Sequence, residues 1–504
     1  MNFSRFVAVW AEQRPGAPAI HFEGEDIDYA GLERMVGAAA LALHRAGVRR
    51  ADRVAFLGLN HPQLLVLLFA LARIGAMLAP LNFRLAGAEH VRQLQDCAPR
   101  LLIFEDLFAD HVAALRAALP DLQTASLERE WLPACAAMDA ADPLAIPHDG
   151  RMEDDLLLVY TSGTTGEPKG AVLTQSALQW NCVNAIHAHD LDRDDHVLMA
   201  LPLFHVGGLN IMLVPALYVG ARVTLHRRFD PGQLLADIAA RRPTLTLLVP
   251  ATISALLVHP RWPQADLSSL RMINTGSSVL PVSLLTPWLD RGIPAGQVYG
   301  STETCPIAIY LRAEDAARKV GSAGLAAMHC EIRLTAADGT EVERGEVGEI
   351  RVRGPNLMRC YFGRPEATAA ALQDGWYHTG DLARQDDEGF YWVVGRSKEM
   401  IVSGGENIYP AELESVLADC ADIRDFTVVG LPDERWGEVP VAVIVRGPDT
   451  ALDAAGVLAL FEGRLARFKF PKRIVFVESL PKTALGKVRK DEVVRGLTAQ
   501  VASG

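Results

Sequence analysis

The sequence predicts an α/β fold: a large amino-terminal α/β domain with a β-rich subdomain, followed by a small α+β domain. Three observations lead there. Apolar runs of strand length, DRVAFLGLN, RLLIFED, DHVLMALPL and ARVTLHR, alternate with Ala/Leu-rich stretches of helical period such as LERMVGAAALALHRAG. From about Glu331 the runs shorten and turn signals crowd between them, as in EIRLTAADGTEVERGEVGEIRVRGP and GFYWVVGR. Beyond Arg396 a further unit places helix-like AELESVLADC and AAGVLALFEGRLARF around strand-like DFTVVGL and VAVIVRG. A chain of 504 residues exceeds what one core holds. The expected units are therefore 1–395 and 396–504, with the boundary near 395–398.

Composition narrows the partners. A net charge of -12 excludes a broadly basic surface for nucleic acid or anionic membrane, so any phosphate must be met by locally placed Lys, Arg, N–H groups or metal. Small molecules are the expected partners. Seven scattered cysteines without a C-x-x-C fit neither a disulfide scaffold nor a zinc site, and a reducing cytoplasm is the expected setting. The longest apolar stretch, LLVLLFALARIGAMLAPL, is broken by Arg73 and ends in Pro80, so it reads as a core helix and no membrane span is expected. Glu12 and Arg14 follow closely on a short apolar patch at the amino terminus, which therefore lacks the apolar core of an export signal.

Several stretches carry chemistry. YTSGTTGEPKG, from Tyr160 to Gly170, sets hydroxyls, glycines and one lysine behind the apolar run LLLVY. Hydroxyl donors, backbone N–H groups freed by glycine and the point charge of Lys169 suit polyphosphate. The Walker pattern fails, because Lys169 follows Pro168, which has no N–H and disfavours helix at Glu167. The same composition also describes a plain polar turn. In VYGSTET an aromatic ring, a hydroxyl and a carboxylate follow a strand, and HTGD and GRSKEMIVSGGENIYPAELE contain Asp381 and Arg396. As isolated residues Asp381 and Arg396 read as solvated charges, His205 in PLFHVGGL as a core histidine, and Lys487 in PKTALGKVRK as part of a basic tail.

Taken together and in order, these stretches resemble the AMP-forming acyl-CoA synthetase family, the acyl and aryl CoA ligases related to luciferases and peptide-synthetase adenylation domains. The resemblance spans nearly the whole chain. It implies that a carboxylate attacks the α-phosphate of Mg-ATP to give acyl-AMP and pyrophosphate, after which the thiol of coenzyme A displaces AMP. Thr161, Ser162, Gly163, Thr164, Thr165 and Lys169 would then hold the β- and γ-phosphates. Tyr299 would lie against adenine, Thr302 on the α-phosphate, and Glu303 on Mg²⁺, which needs only one or two protein carboxylates. Asp381 would accept the ribose hydroxyls, with Arg396 adding donors. The backbone of NTGSSVLP, including Gly276, would frame adenine and acyl group, although Ser277 and Ser278 depart from the family's GGAP.

His205 would position the acid's carboxylate, with Gly207 and Gly208 leaving volume for a roomy, mainly apolar acyl pocket to which Gly300 also belongs. No arginine lies within PLFHVGGL to meet a second carboxylate, which counts against malonate-like acids. Lys487 would bridge carboxylate and α-phosphate during adenylation. The carboxyl-terminal domain would then rotate about Lys398, withdrawing Lys487 and bringing Ser403, Gly404, Gly405 and Glu406 to the pantetheine channel. ATP, Mg²⁺ and coenzyme A are thus the expected cofactors, and a fatty or aromatic acid the substrate. Two other readings stand beside this one: a ligase that loads a carrier protein's pantetheine, and a non-catalytic nucleotide-binding regulator.

Overall fold

The computed structural model describes residues 1–138, 149–162, 168–276, 282–403, 406–433, 436–448, 450–483 and 486–502. Two large sheets, mostly parallel, form the bulk of the molecule. The first runs in the order Cys360–Tyr361, Pro168–Thr174, Asp155–Ser162, Met77–Pro80, Arg53–Leu57, Leu101–Phe104 and Thr124–Ser126. The second centres on the parallel strands Ala295–Tyr299, Met272–Thr275, Leu245–Leu248, His196–Met199, Arg222–Leu225 and Pro18–Phe22. Their strands are apolar along their length because parallel sheets are covered on both faces; Met77–Pro80, His196–Met199 and Leu245–Leu248 are buried at every position.

The helix Pro62–Ile74 is buried along its whole length. Arg73 does not break it: the guanidinium is tucked inside, 2.5 Å from the Glu33 carboxylate and 3.2 Å from Ser4 Oγ. The helix does stop sooner than the sequence suggests. Gly75 adopts φ 81° and closes it, a conformation that costs glycine little, and MLAP then enters the sheet as a strand. The stretch AAGVLALFEGRLARF departs similarly. Its helix covers only Ala454–Ala459; Val457 and Phe461 pack in the core of this unit, and Gly463 adopts φ 71° beyond them.

A third, antiparallel sheet combines Glu331–Thr335, Gly348–Arg353 and Trp376–Gln385, with Tyr391–Arg396 paired to the last of these. A fourth sheet, from Ile401–Ser403 through Arg473–Phe476, has its own apolar clusters. In the two large sheets, Asn60, Phe83, His205, Arg227, Gly276 and Gly300 all lie just beyond the carboxyl ends of parallel strands. Side-chain contacts tie these loops together. Asn60 Nδ2 donates to the carbonyls of Leu201 and His226, each at 3.0 Å, and its Oδ1 accepts from the Leu203 N–H at 2.9 Å. Glu105, fully buried, receives both Arg227 N–H groups at 3.1 and 3.2 Å and the Leu59 N–H at 3.0 Å.

Removing one partner of such a pair leaves an uncompensated charge inside. Arg227→Met should therefore lower stability by about 3–5 kcal/mol, read as an earlier denaturant midpoint for the amino-terminal unit. An unchanged midpoint would mean that the Glu105 carboxylate is not held by this arginine.

Candidate active site

The strands Asp155–Ser162 and Pro168–Thr174 form an antiparallel hairpin with Thr161 opposite Lys169. The glycine-rich stretch thus leads from strand to strand, and Pro168 begins the second strand. Thr161 Oγ1 donates to the Lys169 carbonyl at 3.3 Å. Gly163, Thr164 and Thr165 lie outside the described residues, as do the side chain of Ser162 and residues Ser277, Ser278, Gly404 and Gly405.

Past the strand Ala295–Tyr299, Gly300 and Ser301 lead into a tight turn at Thr302–Thr304. Only glycine fits at 300, where a Cβ would stand 1.6 Å from the Pro306 carbonyl oxygen. The turn is fixed from two sides. Ser301 N–H donates to Thr304 Oγ1 at 2.9 Å, and Asn356 Nδ2 donates to the carbonyls of Thr304 and Ile307 at 2.6 and 2.9 Å. Glu303 is thereby held with its carboxylate in a buried position, and its Oε1 accepts the Tyr361 hydroxyl at 2.7 Å.

Asp381 and Arg396 face each other across an antiparallel pair of strands, with Arg396 Nε 2.8 Å from Asp381 Oδ1. The Tyr299 hydroxyl donates to the other oxygen, Oδ2, at 2.8 Å. Burial pushes the Asp381 carboxyl upward, opposed first by Arg396 and then by the Tyr299 hydrogen bond. Lys487 lies beyond the fourth sheet on a short hairpin, where Lys482 bridges Val488. Thr483 N–H donates to the Lys487 carbonyl at 2.7 Å, and Lys487 N–H donates to Thr483 Oγ1 at 3.2 Å. Within the cleft Lys487 stays open to solvent, yet the surrounding protein, and after it the Arg396 guanidinium, hold its ammonium below the usual lysine range. Lys490 anchors the tail behind it, 3.0 Å from both Glu399 and Glu414.

Most of these pieces meet in one cavity of about 1070 Å³, which Tyr299, Asp381 and Gly276 do not line. Thr161, Lys169, Thr302, Glu303, Arg396, Lys398 and Lys487 line it together with His205, Gly207, Gly208 and Gly300. His205 packs against Phe204, the two ring centroids 4.5 Å apart. Burial, and secondarily Arg84, lowers its pKa to about 4, so the imidazole is neutral at pH 7. Its Nε2 is buried without a hydrogen-bond partner among the described residues.

The expectation that both neighbouring glycines leave volume requires a correction. A Cβ on Gly208 would lie 2.3 Å from the Pro202 carbonyl oxygen, so glycine serves there to let backbone rest on backbone. Gly207 is the open position, with only Ile211 Cδ1 near, at 4.0 Å. Gly300, likewise, lines the cavity but owes its lack of a side chain to Pro306. Gly276 lies at the end of the strand Met272–Thr275, 3.2 Å from Val298 O in terms of an added Cβ. Arginines absent from PLFHVGGL arrive from elsewhere: Arg84, Arg227 and Arg228 also line the cavity.

Ser403 is buried in the fourth sheet opposite Gly437 and does not line the cavity; Glu406 pairs with Ser403 through its backbone. Reasoning from the sequence also passed over residues that hold the site. Tyr361 and Asn60 contact site elements only because the strands bring together distant segments, and neither stands in a stretch with a recognisable chemical pattern.

Model-based comparison matches residues 7–362 to the AMP-binding enzyme family and residues 412–487 to the AMP-binding enzyme C-terminal domain. An indoleacetate–CoA ligase from Aromatoleum aromaticum is 50% identical over 498 residues, covering 98% of each chain. A feruloyl-CoA synthase from an Amycolatopsis species is 44% identical over 485 residues, covering 96% of this chain and 97% of that one. Among solved structures, the o-succinylbenzoate coenzyme A synthetase of Bacillus subtilis in complex with ATP and magnesium superposes with a TM-score of 0.85 at 32% identity, covering 97% of this chain and 99% of the other. With the hairpin, the tight turn and the tail lysine gathered in one cleft, the chain belongs to the AMP-binding enzyme family and is an acid–CoA ligase of the AMP-forming kind.

Proposed function

We propose that this enzyme activates an aromatic carboxylic acid of the arylacetic type and works in the cytoplasm. The observation that carries the reading is the single cavity that joins the phosphate-side residues Lys169, Thr302, Glu303 and Lys487 to an apolar side made by Val206, Ile211 and Val298 around His205. Relatives named for acids with an aromatic ring, at 50% and 44% identity, support the ring.

In this reading the acid lies with its ring beside Gly207 and its carboxylate near His205 Nε2. That nitrogen has no partner among the described residues, and a turn of the ring toward the cavity presents it to the carboxylate. Lys169 and Thr161 meet the β- and γ-phosphates, and the Thr302 hydroxyl meets the α-phosphate. Asp381, held by Tyr299 and Arg396, accepts the ribose hydroxyls, Gly276 frames the adenine through its backbone, and Arg396 adds a donor. Glu303 fits a magnesium ion: Tyr361 takes one oxygen, and among the described residues no hydrogen bond engages the other. A bound magnesium ion would supply a hard cation for phosphate oxygens.

Lys487 places its ammonium where charge builds as the carboxylate oxygen bonds to the α-phosphorus and pyrophosphate leaves. Coenzyme A must later reach the same carbonyl with its thiol, expelling AMP. The hairpin of Lys487 occupies that approach, so it withdraws about the turn Ser397–Glu399 at Lys398, and the strands around Ser403 and Glu406 take its place.

The direct test is a panel of carboxylic acids assayed for AMP release that depends on coenzyme A. Arylacetates should give the highest kcat/KM, and a preference for long aliphatic acids would refute the aromatic assignment. Pocket shape gives a second test. Gly207→Leu should raise the KM for the acid, over-packing costing about 1–3 kcal/mol, while the KM for ATP stays constant; Gly208→Ala should instead lower the melting temperature. An acid KM untouched by Gly207→Leu would remove this wall from the pocket.

Lys487→Ala should slow acyl-AMP formation by roughly 10²–10³ and leave conversion of supplied acyl-AMP to thioester nearly intact. Equal loss of both steps would contradict the alternation. Because the folded protein lowers the Lys487 pKa, the reactive ammonium is present below that value and lost as pH rises through it. Adenylation should consequently show an alkaline limb below the ordinary lysine range, moved upward in Lys487→Arg. A limb that stays in place in the arginine variant would belong to another group.

A further inference from the structure

Tyr361 belongs to none of the stretches that mark this enzyme, yet it touches two of the residues those stretches contribute. Its strand, Cys360–Tyr361, pairs antiparallel with Pro168–Thr174, the strand that begins with Lys169, and Tyr361 lies opposite Ala171. The neighbouring backbone bonds are short: Phe362 N–H donates to Gly170 O at 2.7 Å and Arg359 N–H to Val172 O at 2.8 Å. On its other side, Met358 N–H donates to the Glu303 carbonyl at 2.7 Å. The segment 358–362 is thus stitched to both the phosphate hairpin and the turn at Thr302–Thr304. The Tyr361 N–H itself donates to Thr368 Oγ1 at 2.9 Å, which fixes the strand against the helix that follows.

The side chain completes the link. The hydroxyl donates to Glu303 Oε1 at 2.7 Å, while Lys169 Nζ stands over the ring, 5.4 Å from its centroid. Tyr361 is itself 8% exposed and packed in the main core, so neither ring nor hydroxyl is free to swing away. A buried carboxylate with one oxygen fixed by a charge-assisted hydrogen bond has a fixed plane, and its second oxygen points in one direction only. A lysine stem is otherwise flexible, and a cation over an aromatic face is restrained at modest cost. Tyr377, which also lines the cavity, is a further polar neighbour of Glu303 and Tyr361.

We infer that Tyr361 is a positioning residue for the phosphate site: its hydroxyl orients the Glu303 carboxylate toward the metal while its ring face seats Lys169, so that metal carboxylate and phosphate lysine are held as one unit. The inference rests on the magnesium reading of Glu303 made above. It assigns Tyr361 no contact with substrate. It divides cleanly between two atoms sets, because phenylalanine keeps the ring and loses the hydroxyl, while leucine loses both.

The test measures binding as well as turnover. Mn²⁺ serves as a paramagnetic probe in the complex of the enzyme with α,β-methylene-ATP, and affinity of the analogue alone is measured without metal. Tyr361→Phe should weaken Mn²⁺ in the ternary complex by about tenfold, the lower range for loss of a partner that orients a metal ligand. It should leave metal-free analogue affinity unchanged and raise the Mg²⁺ concentration needed for half-maximal adenylation. Tyr361→Leu should in addition weaken the metal-free analogue, by a few fold, through the loosened Lys169. Glu303→Gln separates the layers. If it weakens Mn²⁺ while Tyr361→Phe does not, the positioning role is overturned and the magnesium reading stands. If Glu303→Gln leaves Mn²⁺ affinity unchanged, the magnesium reading falls and the inference with it. Metal-free affinity equal in the Leu variant and the wild type would overturn the part assigned to the ring.

Discussion

The direction of the parallel strands sets the whole arrangement. In the two large sheets the parallel strands deliver their loops to a common space, and the loops that leave their carboxyl ends carry Asn60, Phe83, His205, Arg227, Gly276 and Gly300. Open α/β sheets place ligands beyond the carboxyl ends of their strands. A crevice so made is only as firm as the contacts between its loops. Asn60 spends both its amide hydrogens and its oxygen on three backbone groups, and the buried Glu105 clasps Arg227 from the opposite sheet. These polar ties cost desolvation, and the complete pairing of each group offsets it.

On this firm floor the chemistry is added from outside. The third sheet brings Asp381 and Arg396 as cross-strand partners, and the hairpin beyond the fourth sheet brings Lys487. The cations and carboxylates of the cleft therefore come from separate elements, so their distances depend on how those elements dock. Asp381 and Arg396 share one pair of strands and keep their spacing. Lys487 does not, and its ammonium, partly stripped of water by the cleft walls and opposed by Arg396, gains from an anionic ligand that neutralises the surroundings. A group in that position is suited to act in one step and leave in the next.

Much of this was legible in the residue pattern. Doubly buried strands announce themselves as continuous apolar runs, and Lys169, Thr302, Glu303, His205 and Lys487, which stand in the ordered stretches from YTSGTTGEPKG to PKTALGKVRK, all line the cavity. Helix ends were less legible. Apolar period continues through Gly75, where only the positive φ shows that the helix stops, and in AAGVLALFEGRLARF it outlasts a helix that ends at Ala459. Gly207 and Gly208 are alike in sequence but not in space, since one faces an opening and the other the Pro202 carbonyl. Tyr361 was invisible for a different reason: it lies 58 residues from Glu303, and the pairing of its strand with Pro168–Thr174 and the bond from Met358 N–H to the Glu303 carbonyl bring the two together. Local patterns report residues that act within one segment. Contacts that join segments are properties of the fold.

The central claim is that the acid is activated as its adenylate, in a closed step that Lys487 serves and that needs no coenzyme A. Exchange of labelled pyrophosphate into ATP measures this step alone, because it runs only if acyl-AMP forms and reverts on the enzyme. With an arylacetic acid, Mg²⁺ and ATP present and coenzyme A omitted, label should enter ATP at a rate that vanishes when the acid is left out. Exchange that requires coenzyme A, or that proceeds without acid, would contradict the account.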